Sequence, residues 1–405
     1  MNHRSTTHTR GLLAALLALL LALCLPTQAF AVSATEASGL IDQVAAYESA
    51  QLAAQSGGVT YGNEWALMAL ARAGKLSETL KQQYLGNLAA YLAANGNSLG
   101  SKVTDYDRVI LALTSMGVDA TDFNGIDLTA PLASLDDINS QGISGTIYAL
   151  LALDSHGYPS GIRSALVDAV LAAQLPGGGW NWGYGAAADP DLTSMALYAL
   201  APYYGTGDAA VDAVVDAGLT VLGSIQDDAT AGFTSDWSPA PASESSAQAL
   251  VALSSLGVSV DDTRFVKTGG SLYDSLTGFL IPAGAGKQGF VDFAGDAAPS
   301  GMATEQGLYA LVALARSLTG ANRLFDMTDV ELQVWPIPPD DSKQTSDVVL
   351  PSVVATPAAT TIPPTGDTVA HAALIAFLLL GAGAVVMLVI WPFSGRRREQ
   401  RCADE

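Results

Sequence analysis

WALMAL at residues 65–70, VILAL at 109–113, YALLAL at 148–153, MALYAL at 195–200, QALVAL at 248–253 and YALVAL at 309–314 are six variants of one phrase. Five of them set Ala-Leu pairs three residues apart and VILAL keeps one such pair, a spacing that belongs to a helix and not to a strand. Their starts lie about 40 to 60 residues apart, the range of helical-pair repeats rather than of short solenoid motifs. Small Ala beside Leu lets helices approach closely while still burying area, so these six read as inner helices. Less regular segments precede each one, at 38–54, 78–94, 128–138, 160–174, 209–226 and 270–281, and read as outer partners across Gly-containing loops. β-branched residues nowhere alternate with polar ones over a long run, so strands are not expected. The expectation is an all-α domain over residues 32–332 with six inner and six outer helices. A stack of helix pairs that curves enough closes into a ring, whereas an open solenoid leaves an apolar end at each terminus.

Between the third and fourth inner helices stands Gln174-Leu175-Pro176-Gly177-Gly178-Gly179-Trp180, with eroded copies from Gln226 to Phe233 and at Gln288-Gly289-Phe290. This stretch resembles the Gln-to-Trp repeat of squalene-type cyclases. With the paired helices, it makes the chain similar to the α/α toroid family shared by terpene cyclases, protein prenyltransferase β subunits and cobalamin carriers of the transcobalamin and intrinsic-factor type. The resemblance covers most of the chain and implies an (α/α)6 toroid around a central cavity. Function does not follow from it, because folds of this kind host unrelated chemistries.

The ends of the chain point outside the cell. Arg4 and Arg10 precede an apolar run from Gly11 to Leu25, and Ala29 and Ala31 supply the small residues of a cleavage site, so 1–31 reads as a secretory signal peptide. Cys24 follows Leu23, which does not suit a lipoprotein signal. At the other end, Ala370 to Trp391 is free of charge, long enough to cross a bilayer as a helix. Arg396, Arg397 and Arg398 follow at once and place the 392–405 tail in the cytoplasm. Just before the span, Ile362-Pro363-Pro364-Thr365-Gly366 resembles the sortase sorting signal Leu-Pro-any-Thr-Gly, with Ile in place of Leu. That resemblance implies cleavage between Thr365 and Gly366 and joining of Thr365 to the cell wall, with sortase and wall as partners. The bland alternative is a turn before an ordinary membrane anchor. Residues 333–361, rich in Pro, Thr, Ser and Val, read as a spacer.

Between Val32 and Thr365 there are 35 Asp and Glu against 12 Lys and Arg, a net charge of −23. Nucleic acid is excluded as a partner on this ground, because its binding depends on basic side chains neutralising phosphate. Cys24 and Cys402 both fall outside this segment, so stability must come from packing alone.

One helical turn before the six Ala-Leu motifs stand Tyr61, Thr104, Ser144, Asp191, Glu244 and Glu305, with Glu64, Asp105 and Asp107 close by. At helix N-termini such residues act as caps and meet the positive dipole end. In a toroid the same residues would also ring one mouth of the cavity and face a ligand. Asp189-Pro190-Asp191-Leu192-Thr193-Ser194 resembles the Asp-any-Asp-Asp-Thr-Ala box of class II terpene cyclases, which puts Asp191 on the proton donor. Leu192 stands where the third aspartate belongs, and its loss argues against alkene protonation.

His156 is the only histidine between the signal and the span, and no cysteine accompanies it, so neither a prenyltransferase-type zinc site nor a thioester can be built. No cofactor or metal is expected. Trp180, Trp182 and Tyr184 form an aromatic cluster in one Gly-rich loop, either stacking surfaces for a ligand or a seal over the helix pair. The expected function is non-catalytic binding of a small extracellular molecule. The alternative is a terpene cyclase-like or carbohydrate-active enzyme with Asp191 as acid.

Overall fold

The computed structural model describes residues 32–235 and 238–336. The signal segment 1–31, nearly all of the 333–361 spacer, the 362–366 motif, the 370–391 span and the basic tail lie outside the described residues. Among the described residues, no helix is long and apolar enough to cross a membrane.

The protein is mostly helical. In chain order the helices are α1 (Ala34–Ala53), α2 (Glu64–Arg72), α3 (Glu78–Ala94), α4 (Val103–Ser115), α5 (Leu135–Asn139), α6 (Gly142–Asp154), α7 (Arg163–Ala172), α8 (Pro190–Leu200), α9 (Ala209–Ile225), α10 (Ser243–Leu256), α11 (Leu272–Thr277) and α12 (Gly301–Thr319). The even-numbered helices carry the six Ala-Leu motifs. Their small residues, among them Ala69, Ala112, Ala149, Ala196, Ala249 and Ala310, are almost wholly buried, as close helix approach demands. These helices are buried nearly all round rather than along one stripe, the mark of elements with packed neighbours on every side. α2 packs on α4, α4 on α6, α6 on α8, α8 on α10, α10 on α12, and α12 on α2. The odd-numbered helices pack outside this sequence of contacts: α7 on α6, α9 on α8, α11 on α10 and α1 on α12.

Caps fix the starts. Ser33, Ser77, Ser134, Asp189, Asp208, Ser271 and Ser300 each accept a backbone N–H from their own first turn. Gly257 and Gly320 end α10 and α12 in the left-handed conformation, where a side chain is unfavourable.

Two departures from the sequence reading concern the outer layer. The segment expected as helix at 128–138 splits into a 3-10 turn at Ala130–Ala133 and the five-residue α5, because Ser134 caps a new start. That at 270–281 stops at Thr277, after which the chain turns into strand. The described residues also hold four short strands that the sequence did not signal. β1 (Val118–Phe123) pairs in parallel with β4 (Gln333–Trp335), and β2 (Leu280–Pro282) pairs antiparallel with β3 (Gln288–Phe290). β2, β3 and β4 have three residues each, too few for a period-2 pattern to register.

β4 belongs to a segment, 321–335, that lies across the C-terminal ends of the inner helices. Arg72, at the end of α2, is its principal clamp. Its guanidinium donates to the carbonyls of Leu324 (2.9 Å), Arg323 (3.0 Å) and Asp326 (2.9 Å) and to Asp329 Oδ1 (2.8 Å). Met327 N–H donates to Ser155 O at 2.7 Å, Gln333 N–H to Gly117 O at 3.0 Å, and Trp335 stacks on Phe123 with ring centroids 5.0 Å apart. Leu324, Phe325 and Met327 are buried beneath the segment. His156 Nε2 lies 3.0 Å from Val330 O, so this histidine also fastens the segment.

Candidate functional site

The loops that precede the inner helices are built alike. Trp180 N–H donates to the Thr193 hydroxyl at 3.0 Å, and that hydroxyl donates to Trp180 O at 3.2 Å. Asp189 N–H donates to the same carbonyl at 2.7 Å. Phe290 repeats the arrangement with Thr304 (3.1 and 3.3 Å) and with Ser300 N–H (2.9 Å). Phe233 keeps only the third element, Ala242 N–H to its carbonyl at 3.3 Å. In each case an aromatic backbone is clamped to the start of the next inner helix, a structural repeat behind the eroded sequence copies.

Trp180 is wholly buried and donates from its indole to Val170 O at 2.8 Å. Its ring lies against Gly218 of α9, where a Cβ would come within 2.9 Å. It therefore seals helices α7, α8 and α9 and offers no ring face to solvent. Gln174 donates to Val214 O of α9 at 2.7 Å, so it ties two outer helices rather than its own loop. Trp182 is partly buried against the core, and Tyr184 is 46% exposed.

The acids gather at the N-terminal end of the inner helices, in two different states. Around α2 and α4, Glu64 and Asp105 are paired with Arg108 and Asp107 is not. Glu64, fully buried, accepts from Gly62 N–H (2.9 and 3.0 Å), Tyr84 OH (2.9 Å) and Arg108 Nε (2.7 Å). Arg108 also reaches Asp105 Oδ1 at 3.1 Å and sits over the Tyr61 ring, 5.5 Å from its centroid. Burial drives both tyrosine hydroxyls up, helped by Asp105 and Glu64 at Tyr61 and by Glu64 at Tyr84, so both stay neutral. Asp107 beside them is fully buried with neither carboxyl oxygen hydrogen-bonded among the described residues. Burial, then the charge of Asp105, holds its carboxyl far above the usual range against the pull of Arg108, so it is a neutral acid.

Asp191, Glu244 and Glu305, at the starts of α8, α10 and α12, make no ion pair among the described residues. Asp189 is the N-cap of α8, accepting from Leu192 N–H at 2.9 Å, so the cap role belongs to it and not to Asp191. Asp191 is the second residue of the helix, and its Oδ1 is buried without a hydrogen bond. Burial and then the charge of Asp189 push Asp191 up to about 7, opposed by a hydrogen bond from Ser245 of α10. Glu244 holds the same place in α10. Burial, then a carboxyl–carboxyl hydrogen bond with Asp292, raises it to about 8, a pair that must share a proton. Glu305 rises to about 8 through burial and the charges of Glu48 and Glu64, against the pull of Arg108, and Glu48 of α1 rises to about 7 through burial alone. Glu305 sits one turn deeper than the other two, as the fifth residue of its helix, because α12 starts earlier relative to its Ala-Leu motif.

Below these acids the inner faces meet in a polar-tipped aromatic cluster. Trp65 lies 5.6 Å from Tyr148 and 6.2 Å from Tyr309, ring centre to ring centre. Gln248 donates to Tyr309 OH at 2.6 Å and accepts from Tyr198 OH at 3.2 Å.

Glu48, Arg108, Asp292 and Ser245 are the members of the site that the sequence did not single out. Glu48 had a signal, since it falls on the buried stripe Ile41, Val44, Ala45 and Leu52 of α1. Asp292 had none, because its partner lies in another repeat. The arrangement can hold protons at neutral pH and can accept hydrogen bonds or positive charge from a ligand. No group of three or more His, Cys, Asp or Glu among the described residues could hold a metal ion. Comparison with protein-family models, curated proteins and solved structures finds no match for this chain.

Proposed function

We propose that this chain is a surface-displayed α/α toroid that captures a small, donor-rich or cationic extracellular molecule at the N-terminal mouth of its inner helices, without catalysis. The observation that carries the reading is the set of carboxyls Asp191, Glu244 and Glu305, none of which has, among the described residues, the direct ion pair that Arg108 makes with Glu64. Buried carboxyl oxygens without partners are costly, and a ligand that supplies donors removes that cost. The cyclic order of inner-helix contacts supports the ring. The chain leaves the domain at β4, on the opposite face, so an anchor following the 333–361 spacer would turn the acidic mouth away from the cell.

A second reading makes Asp191 the general acid of a carbohydrate-active enzyme, favoured by its retaining a proton up to about 7. The same value disfavours a terpene cyclase, since an acid so weak is a poor donor to an alkene.

The test is native mass spectrometry of the protein recovered from host-derived medium, beside an Asp191→Asn, Glu244→Gln, Glu305→Gln variant. Retention of a small molecule by the parent and its loss from the variant is expected. Equal retention by both would refute the mouth as the binding site. Anchoring is tested separately: replacing Thr365 and Gly366 with Ala should move the protein from the wall fraction to a detergent-soluble membrane fraction. An unchanged wall fraction would refute sortase attachment.

A further inference from the structure

The end of the inner helices remote from the acids contains a cavity of about 340 Å³. It lies between the C-terminal ends of α6, α8 and α10 and the segment 321–335. We propose that it is a second binding site, independent of the acidic mouth, for a small planar molecule carrying one carboxylate.

Size and lining set the body of the ligand. The volume equals about ten water-sized groups, enough for one ring with a short side chain. Leu151, Tyr198, Ala199, Pro202, Tyr203 and Phe325 give it mainly apolar and aromatic walls. Tyr198 and Phe325 lie 5.2 Å apart between ring centres, tilted by 36°, which leaves ring faces and edges for a flat guest. An apolar pocket with a few placed polar groups is the usual form of a small-molecule site.

Charge sets the head group, because three of the four ionic side chains in the lining are already engaged. Arg163 is held by Asp154 Oδ1 (2.6 Å) and by the carbonyls of Leu153 (3.0 Å) and Tyr158 (2.7 Å). Asp154 also accepts from Tyr203 OH at 2.7 Å. Asp326 accepts from the Thr328 hydroxyl at 2.7 Å and from Asn322 at 3.3 Å. Arg323 differs. Its side chain is 37% exposed, its guanidinium makes no hydrogen bond among the described residues, and its ion pair with Asp326 Oδ2 is long, at 4.0 Å. Its main chain is fixed, however, through the bond from Arg72 to its carbonyl. A guanidinium held at the edge of an apolar cavity with an unfilled fork matches a carboxylate in two-point geometry.

The test uses calorimetric titration of the full chain in lipid nanodiscs, with empty discs as blank and phenylacetate and phenylacetamide as probes. The parent should bind phenylacetate saturably and at least tenfold more tightly than the neutral amide. Arg323→Gln should abolish that preference, and Ser255→Leu, which fills the cavity from α10, should abolish binding of both probes. Asp191→Asn should leave both affinities unchanged, separating this site from the mouth. Absence of a phenylacetate preference in the parent, or its persistence in Arg323→Gln with an unaltered unfolding midpoint, would overturn the proposal.

Discussion

Glu64 is fully buried and Asp191 half-buried, with one carboxyl oxygen shut off from solvent; both stand at the N-terminal ends of inner helices, yet their surroundings are opposite. Glu64 accepts from a backbone N–H, a tyrosine and an arginine. Asp191 has a second acid beside it, a serine across from it and a carboxyl oxygen with no hydrogen bond. The α2–α4 side of the mouth is therefore built as a structural ion pair. The α8–α12 side is built with protons where cations would otherwise stand.

The comparison breaks most visibly if the cyclic order of contacts among α2, α4, α6, α8, α10 and α12 is interrupted. Deleting residues 270–318 removes α11 and nearly all of α12, which packs on α2, α10 and α1, and should leave an aggregating fragment. A soluble fragment with helical circular dichroism would argue that the inner helices do not depend on closure.

Next in size is Arg108→Met. It strands Glu64 without its cation, and breaking a buried pair from one side costs about 3–5 kcal/mol. Urea unfolding measures this; a loss below about 1 kcal/mol, the level of an exposed pair, would remove the distinction between the two arcs. Gly307→Ala should cost less, about 1–3 kcal/mol by overpacking, because an added Cβ would fall 2.3 Å from the Phe290 ring. An unchanged unfolding midpoint would mean that the Phe290–Thr304 clamp yields freely. The smallest change is expected from Asp189→Asn, within a few tenths of a kcal/mol, since Asn caps as well as Asp. A large loss there would give Asp189 a role beyond capping.

The inner helices were legible because each Ala-Leu motif carries the whole pattern within six residues. Outer helices α5 and α11 were misjudged in length, since their ends are set by Ser134 and by the pairing of β2 with β3. The acids Asp191 and Glu244 were legible as positions, but their protonation was not. It depends first on burial by neighbouring helices, then on Asp189 for Asp191 and on Asp292, from another repeat, for Glu244. The clamp of Arg72 on segment 321–335 spans most of the chain and has no local signature. Trp180 stood out as a possible ligand surface, and only Gly218, brought up by α9, turns it into core.

The account rests on the α8–α12 acids being neutral in the folded protein and not needed for its stability. Unfolded, Asp and Glu lose their protons near 4. Folded, Asp191 and Glu48 hold theirs to about 7, and Glu244 and Glu305 to about 8. The folded state thus binds more protons between these limits, so stability is greatest near pH 4 and falls as pH rises to 8. The decisive measurement is urea unfolding of the parent and of the Asp191→Asn, Glu244→Gln, Glu305→Gln variant at pH 5.5 and 8.5. The account predicts that the parent loses stability between the two values, and that the variant loses distinctly less and matches or exceeds the parent at pH 8.5. A variant less stable than the parent at pH 8.5, with an equal or steeper fall, would contradict it.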